Sequence, residues 1–224
     1  MINTICIAGA GTMGSGIAMA CAQNAYTVIL FDTNEAIIEK AKTAISKNLD
    51  QLVEKSKISL AEKNTILSGI TFTAVIDHCK ADLVIEAIIE KEDAKVDLFT
   101  KLTAINSSHC IFASNTSSLS INALQKRIQN PERVAGMHFF NPAQIMKLVE
   151  VVKGEHTSDA TAQTLMDICR QLKKVPVLCK DAPGFIVNRV ARHYYLEAMH
   201  LVENNMASIE TVDELMEASG FKMG

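Results

Sequence analysis

A histidine and a glutamate are the first side chains in this sequence whose types and spacing suit acid–base chemistry. His138 lies in the apolar segment Met137–Phe140, and Glu150 follows 12 residues later inside the apolar segment Leu148–Val152. A lone histidine in such a segment is more often a hydrogen-bonded core residue. A buried carboxylate needs a partner, however, and a glutamate on one ring nitrogen makes the other nitrogen a stronger base. The pair is therefore a candidate for removing a proton from an alcohol.

A glycine-rich turn near the N-terminus is typical of a dinucleotide-binding loop. Gly9, Gly11 and Gly14 follow an apolar strand and begin a helix, the context in which such glycines allow a tight turn and close approach of a pyrophosphate. Asp32 ends the next strand 18 residues after Gly14 (32 − 14), near the spacing of about 20 expected for a ribose-binding acid. This carboxylate repels a 2′-phosphate, so the pattern predicts NAD rather than NADP. The alternative is a glycine turn and strand-end aspartate without a ligand.

Two further predicted strands end in polar residues. The strand Leu83–Ile85 is followed by Glu86 and Glu90, and the strand Cys110–Ala113 by five residues that include Asn115 and Ser117. The carboxyl ends of parallel strands form the ligand crevice of α/β sheets, so these side chains are expected to contact cofactor or substrate. Ser117 or Asn115 equally suits the N-cap of the next helix.

The elements that must position these side chains alternate along the chain. Short apolar runs alternate with segments of helical periodicity, which predicts an α/β fold with a Rossmann-type, mostly parallel sheet. The predicted strands are Thr4–Ala8, Tyr26–Phe31, Ile70–Thr73, Leu83–Ile85, Cys110–Ala113, Val134–Phe139, Leu148–Val152 and Val175–Cys179. Predicted helices lie near Met13–Gln23, Asn34–Lys57, Leu60–Ser68, Lys91–Ile105, Ile121–Arg127 and Ser158–Leu172. After the turn Asp181–Gly184 only helical patterns remain, so we predict an NAD-binding domain over 1–184 and the start of an all-helical second domain over 185–224.

Composition and charge narrow the function classes. The 224 residues carry a formal net charge of −3, which argues against nucleic-acid and membrane-surface partners, and no apolar run approaches a membrane span. The six cysteines and six histidines are scattered without metal-ligand spacing, so no metal is expected. The cysteines are typical of buried residues in a reducing compartment. The apolar strand begins directly after the first residues, leaving no room for a signal peptide, so a cytoplasmic protein is expected.

Six motifs in order together resemble the L-3-hydroxyacyl-CoA dehydrogenase family, which includes 3-hydroxybutyryl-CoA dehydrogenases. The resemblance spans the whole chain. The motifs are Gly9–Gly14, Asp82–Ala87, Phe112–Ser118, His138–Pro142, Met146–Val151 and Asp181–Arg189.

The resemblance implies roles for individual residues. His138 matches the general base and Glu150 the acid that orients it, while Ser117 and Asn188 match groups that hold the substrate's 3-oxygen and thioester region. The implied cofactor-binding residues are Gly9, Gly11, Thr12, Met13, Gly14, Asp32, Glu90, Lys95, Asn115 and Ser117. The acyl-CoA substrate is expected to run over the helix Asn34–Lys57, where Lys55 roughly matches a CoA-contacting lysine and Asn48 stands where some members have serine.

The C-terminal end of the sequence differs from the family pattern, and alternative functions remain. Family members continue past a Met-Gly-Pro segment through helices that form a homodimer interface, whereas this sequence stops at Gly224, so we expect a C-terminal truncation and incomplete dimer contacts. Besides the oxidation of (S)-3-hydroxyacyl-CoA with NAD, the alternatives are dehydrogenation of a free hydroxy acid and a non-catalytic NAD-binding relative.

Overall fold

A computed structural model gives the structure of residues 2–222. The chain divides into two compact units, residues 1–182 and 183–224. Within the described residues, the first contains a single eight-stranded sheet with six α-helices and two short 3₁₀-helices, Ile76–His78 and Pro131–Arg133, and the second contains two α-helices. The predicted α/β fold is confirmed.

The eight strands of the first unit form one sheet in the order β3-β2-β1-β4-β5-β6-β7-β8. Strands β1 to β6 are parallel, β7 is antiparallel to β6, and β8 is parallel to β7. The strands are β1 (Thr4–Ala8), β2 (Thr27–Phe31), β3 (Ile70–Thr73), β4 (Leu83–Glu86), β5 (Ile111–Ser114), β6 (Val134–Phe139), β7 (Leu148–Lys153) and β8 (Val175–Lys180). All eight predicted strands are present. Strands β4 and β5 each extend one residue further than predicted, because Glu86 pairs with Ser114 across them.

Six helices connect these strands and two more form the second unit. They are α1 (Thr12–Ala22), α2 (Glu35–Glu54), α3 (Leu60–Ser68), α4 (Glu92–Ile105), α5 (Ile121–Gln125), α6 (Asp159–Gln171), α7 (Val187–Glu203) and α8 (Ile209–Ala218). Helix α7 begins two residues later than predicted, since Phe185 has a left-handed backbone with φ of 46°. A helix cannot continue through that conformation.

Polar side chains set several helix starts. Asn34 accepts a hydrogen bond from the Ala36 amide at the start of α2. Ser59 and Glu62 form a reciprocal capping box at the start of α3. Satisfying these first-turn amides fixes where each helix begins. The consequence is a long α2 that starts at the carboxyl edge of the sheet, beside Asp32.

The core of the first unit lies on both faces of the sheet. The central strands are buried throughout, as in β4 and β5, where every residue is buried. Sheets covered on both faces require such continuous apolar strands. All six cysteines are free and buried, as predicted. Within residues 2–222, no helix combines the length and apolarity needed to cross a membrane.

The second unit exposes much of its apolar surface. On α7, Val190, Tyr195, Leu196 and Met199 are each more than half exposed, and Val212 is the buried apolar residue of α8. Tyr194 packs its ring against Phe221 within the unit, with ring centroids 5.4 Å apart.

Candidate active site

The turn that joins β1 to α1 has a conformation that requires glycine at two positions. Gly9 has φ of +109°, and a Cβ there would lie 2.5 Å from the Ala87 carbonyl oxygen. A Cβ on Gly14 would lie 1.7 Å from the Gly9 carbonyl oxygen, so α1 packs directly on the turn. Any side chain at either position would displace the backbone. The turn therefore holds the N-terminus of α1 against the carboxyl end of β1.

The protein's own packing does not require glycine at position 11, so the open space beside Gly11 is available to a ligand. A Cβ on Gly11 would meet nothing within 4 Å. Gly11 lines two cavities, one of about 450 Å³ that also contains Asp32 and one of about 350 Å³ that also contains Thr12. It also occupies the N-cap of α1 without a side-chain cap. A bare backbone between two cavities at a helix N-terminus fits a pyrophosphate.

Asp32 follows β2 and lines the larger cavity together with Gly9 and Phe31. One of its carboxylate oxygens accepts from the Ala10 amide at 3.0 Å and the other from the Asn34 amide at 3.0 Å. These bonds orient the carboxylate while leaving it acceptor capacity for ribose hydroxyls. The side chain of Met13 is partly buried and packs against the core.

His138 and Glu150 are direct neighbours across β6 and β7. The two residues are paired in the strand register, and His138 Nδ1 lies 2.8 Å from Glu150 Oε2. Both side chains are buried, with 5% and 1% of their surface exposed. His138 Nε2 lies 3.0 Å from Ser117 Oγ, and the ring packs on Phe140 at a centroid distance of 4.6 Å. The three side chains thus form a chain from a buried carboxylate to the exposed Ser117.

Asn115 and Ser117 do not cap the following helix. Ser120 caps α5, because its side chain accepts from the Ala123 amide. The helix-cap alternative for Asn115 and Ser117 is therefore wrong. Asn115 Oδ1 instead accepts from the Phe139 amide at 2.8 Å, which ties the end of β5 to the residue after His138.

Three charged residues form a compact cluster beside Ser117. Lys95 Nζ lies 2.6 Å from Glu86 Oε1 and 3.1 Å from Glu90 Oε2. Burial raises the pKa of Glu86, although the charge of Lys95 opposes that change. Burial also acts to raise the pKa of Glu90, but hydrogen bonds and Lys95 outweigh it and lower the pKa to about 2. Glu90 is therefore ionised at neutral pH.

The predicted substrate side of the site lies along α2. The cavity beside Thr12 also contains Lys40 and Asn48, and a neighbouring cavity of about 400 Å³ contains Asn48 and Lys55. Lys55 is the C-cap residue of α2. Asn188 lies in the first turn of α7, in the second unit.

Comparisons with known proteins decide the family. Residues 4–182 match the family model described as 3-hydroxyacyl-CoA dehydrogenase, NAD binding domain, and residues 184–224 match the model of the C-terminal domain of the same family. The chain belongs to the 3-hydroxyacyl-CoA dehydrogenase family. Its first unit therefore carries the family's NAD-binding fold, as the glycine turn predicted.

Several relatives in this family are similar over the whole chain. The mitochondrial hydroxyacyl-coenzyme A dehydrogenase of Mus musculus is 42% identical over 233 residues, covering 100% of this chain and 74% of the relative. The 3-hydroxyadipyl-CoA dehydrogenase of Escherichia coli is 40% identical, covering 100% and 47%. Among solved structures, (S)-3-hydroxybutyryl-CoA dehydrogenase from Ralstonia eutropha has a TM-score of 0.98 at 38% identity, covering 100% of this chain and 80% of that one.

Sequence reasoning missed two residues of this family member that support the site. Lys174 is buried and donates to the carbonyl oxygens of Ala143 and Met146 at 2.7 and 2.8 Å, holding the loop that follows His138. Burial lowers the pKa of this amine. The signal for it was a lysine directly before an apolar strand. Glu86 was seen only as a polar strand end, although it is completely buried.

Within the described residues, no group of three or more His, Cys, Asp and Glu side chains could hold a metal ion.

Proposed function

We propose that this chain interconverts (S)-3-hydroxyacyl-CoA and 3-oxoacyl-CoA with NAD, acting on short acyl chains such as 3-hydroxybutyryl-CoA. The observation that carries the proposal is the hydrogen-bonded chain from buried Glu150 through His138 to exposed Ser117. It lies at the carboxyl edge of β5 and β6, in a sheet whose first turn fits a pyrophosphate. An alcohol oxidation needs a base and an electron acceptor close together, and this arrangement supports both.

In the oxidation direction, His138 Nε2 accepts the proton of the substrate's 3-hydroxyl. Glu150 holds the Nδ1 proton and stabilises the imidazolium that forms, which keeps Nε2 as the basic nitrogen. Ser117 Oγ, at 3.0 Å from Nε2, donates to the same 3-oxygen and fixes it beside the base. Bound NAD supplies the acceptor for the hydride that leaves C3. Reduction of the 3-oxo compound uses the same groups in reverse.

The substrate's long CoA portion is proposed to follow α2. The two adjoining cavities along this helix share Asn48 and Gln144 and end near Lys55 and Lys57. Ammonium groups at the end of such a groove suit the phosphates of CoA. Asn188 is proposed to complete the binding of the thioester region.

We also propose a reducing, cytoplasmic setting and self-association as a homodimer. Six free buried cysteines favour a reducing compartment. The exposed apolar side chains of α7 favour contact with a second copy. Light-scattering mass measurement tests the dimer, and a monomeric mass across the micromolar range contradicts it.

The decisive experiment is a steady-state assay with acetoacetyl-CoA and NADH, repeated with acyl chains of increasing length. His138→Gln should lower kcat about 10²–10⁴-fold, the range expected for a lost general base, with NADH binding unchanged. His156→Gln is the matched control, because His156 is an exposed loop histidine.

Three other outcomes would contradict parts of this proposal. Near-wild-type turnover by His138→Gln contradicts the role of His138. NADH binding by the wild type without turnover of any hydroxyacyl-CoA indicates a non-catalytic relative. Turnover of a free hydroxy acid, with no thermal stabilisation by CoA, indicates the hydroxy-acid alternative.

A further inference from the structure

Glu86, Lys95 and Glu90 form an ion cluster beside Ser117, and two of these charged side chains are fully buried. Glu86 is completely inaccessible and Lys95 is 1% exposed. Removing charged groups from water is costly, and well-packed hydrophobic residues of similar volume often stabilise a core as much as a buried ion pair does. The cluster is therefore more readily explained by what it positions than by stability.

Glu86 is the fixed end of this cluster. Its Oε1 accepts from Lys95 Nζ at 2.6 Å and from the Ile88 amide at 2.7 Å, and its Oε2 accepts from Ser114 Oγ at 2.6 Å. These three hydrogen bonds, on a side chain with no exposed surface, hold the carboxylate in one orientation beside the end of β5. It holds the ammonium group of Lys95 at one place on the sheet edge.

Glu90 is the outer end of the cluster and splits its two oxygens between different partners. Oε2 faces Lys95. Oε1 accepts from the amides of Ser117 and Ser118 at 2.9 and 3.1 Å, and also from the hydroxyls of Thr116 and Ser118. The carboxylate thereby clamps the backbone of the loop 116–118.

We propose that Glu86 is a positioning residue for the dehydrogenase reaction, acting through Lys95 and Glu90 on the loop that carries Ser117. Glu86 fixes Lys95, Lys95 fixes Glu90, and Glu90 holds the Ser117 backbone so that its hydroxyl stays in line with His138 Nε2. Without the Glu86 charge, Lys95 and Glu90 lose their anchor and the Ser117 hydroxyl samples more positions. The inference rests on the proposed function for its catalytic consequence, but the clamp itself is a property of the protein alone.

The test compares Glu86→Gln with Asp82→Asn. The two carboxylates lie at opposite ends of the β4 segment. Asp82 accepts from the amides of Asn3 and Thr4 at 2.8 and 2.9 Å, and it therefore holds the start of β1 and not the loop that carries Ser117. Amide hydrogen exchange followed by NMR reports each clamp directly. Glu86→Gln should speed exchange at the Ser117 and Ser118 amides about tenfold and leave Asn3 and Thr4 unchanged. Asp82→Asn should do the reverse.

Kinetics supply the second readout. Glu86→Gln should lower kcat for acetoacetyl-CoA about tenfold at saturating NADH. Asp82→Asn should leave kcat unchanged. In a Ser117→Ala background, Glu86→Gln should cost no further activity, because both changes act on the same hydroxyl.

Unchanged exchange at the Ser117 and Ser118 amides overturns the proposal, and so do kcat losses that multiply in the double variant. If Glu86→Gln fails to fold, Glu86→Gln combined with Lys95→Met removes both charges together and should show the same faster exchange. A wild type without turnover contradicts the proposed function but leaves the exchange result as a separate test of the clamp.

Discussion

His138 and Glu150 face each other across an antiparallel strand pair, with His138 Nδ1 2.8 Å from Glu150 Oε2. The other ring nitrogen of His138 lies 3.0 Å from Ser117 Oγ. One nitrogen is thus held by a buried carboxylate and the other is directed at the exposed serine. The contact fixes both the ring orientation and the identity of the basic nitrogen.

Replacing Glu150 by Gln tests the charge of this contact, because the amide oxygen can still accept the Nδ1 proton. A hydrogen bond to a charged group is worth about 1.5–3 kcal/mol and a neutral one about 0.5–1.5 kcal/mol, so losing the charge alone should lower kcat roughly 5- to 12-fold. The measurement is acetoacetyl-CoA reduction at saturating NADH. Glu155→Gln, in an exposed loop, is the control. A Glu150→Gln enzyme with wild-type kcat would show that the carboxylate charge is unused.

Asp32→Ala should weaken the preference for NADH over NADPH. The carboxylate is oriented by the Ala10 and Asn34 amides and would repel a 2′-phosphate. Removing it should lower the ratio of the kcat/KM values by at least about tenfold. Asp97 lines the same cavity and provides the control, since Asp97→Ala should keep the preference. If Asp32→Ala discriminates as strongly as the wild type, Asp32 is not the ribose ligand.

Lys174→Met should loosen the loop that follows His138. The amine holds the Ala143 and Met146 carbonyls, and Gln144 between them lines the cavity along α2. Losing both bonds should lower Tm by about 2–8 °C and raise KM for acetoacetyl-CoA several-fold, with kcat little changed. Lys173→Met, at an exposed neighbour, should alter neither quantity. An unchanged KM alongside the lower Tm would separate this loop from substrate binding.

Glu90→Gln tests the pH dependence of the clamp. The pKa of Glu90 is lowered from 4.5 to about 2, so the folded state favours the ionised form. Its contribution to stability is fully present above pH 4.5 and disappears as the pH falls toward 2. Wild type should therefore have the higher Tm at pH 6, and the difference should shrink across that window. A Tm difference that stays constant from pH 6 to pH 2.5 would contradict the assigned shift.

Much of the site was predictable because it depends on local patterns. The glycine turn and Asp32 have a characteristic spacing, and the His138–Glu150 contact follows from two consecutive apolar strands that each have one titratable side chain in their interior. The resemblance to the family added roles for residues such as Ser117. These signals lie in short segments, where spacing along the chain sets spacing in the fold.

The cluster around Lys95 was not predictable from spacing. A glutamate after an apolar strand looks the same in sequence whether it faces a ligand or a buried lysine. Glu86 faces Lys95 because α4 packs on that edge of the sheet, which is a tertiary contact. Similarly, Ser117 and Ser120 are only three residues apart, and the structure shows that Ser120 is the cap of α5, because its side chain accepts from the Ala123 amide.

Because β6 and β7 are paired side by side, an insertion within β7 and an insertion in the segment before it have different effects on the His138–Glu150 contact. Side chains alternate along a strand, so one residue inserted in β7 ahead of Glu150 would turn that carboxylate to the face opposite His138. The connecting residues 140–147 lie outside both strands, so a change in their length does not by itself alter the alternation that places Glu150 on the face of His138. The contact between the two side chains therefore depends on whether the residue count within β7 is odd or even, and not on the length of the segment that joins the two strands.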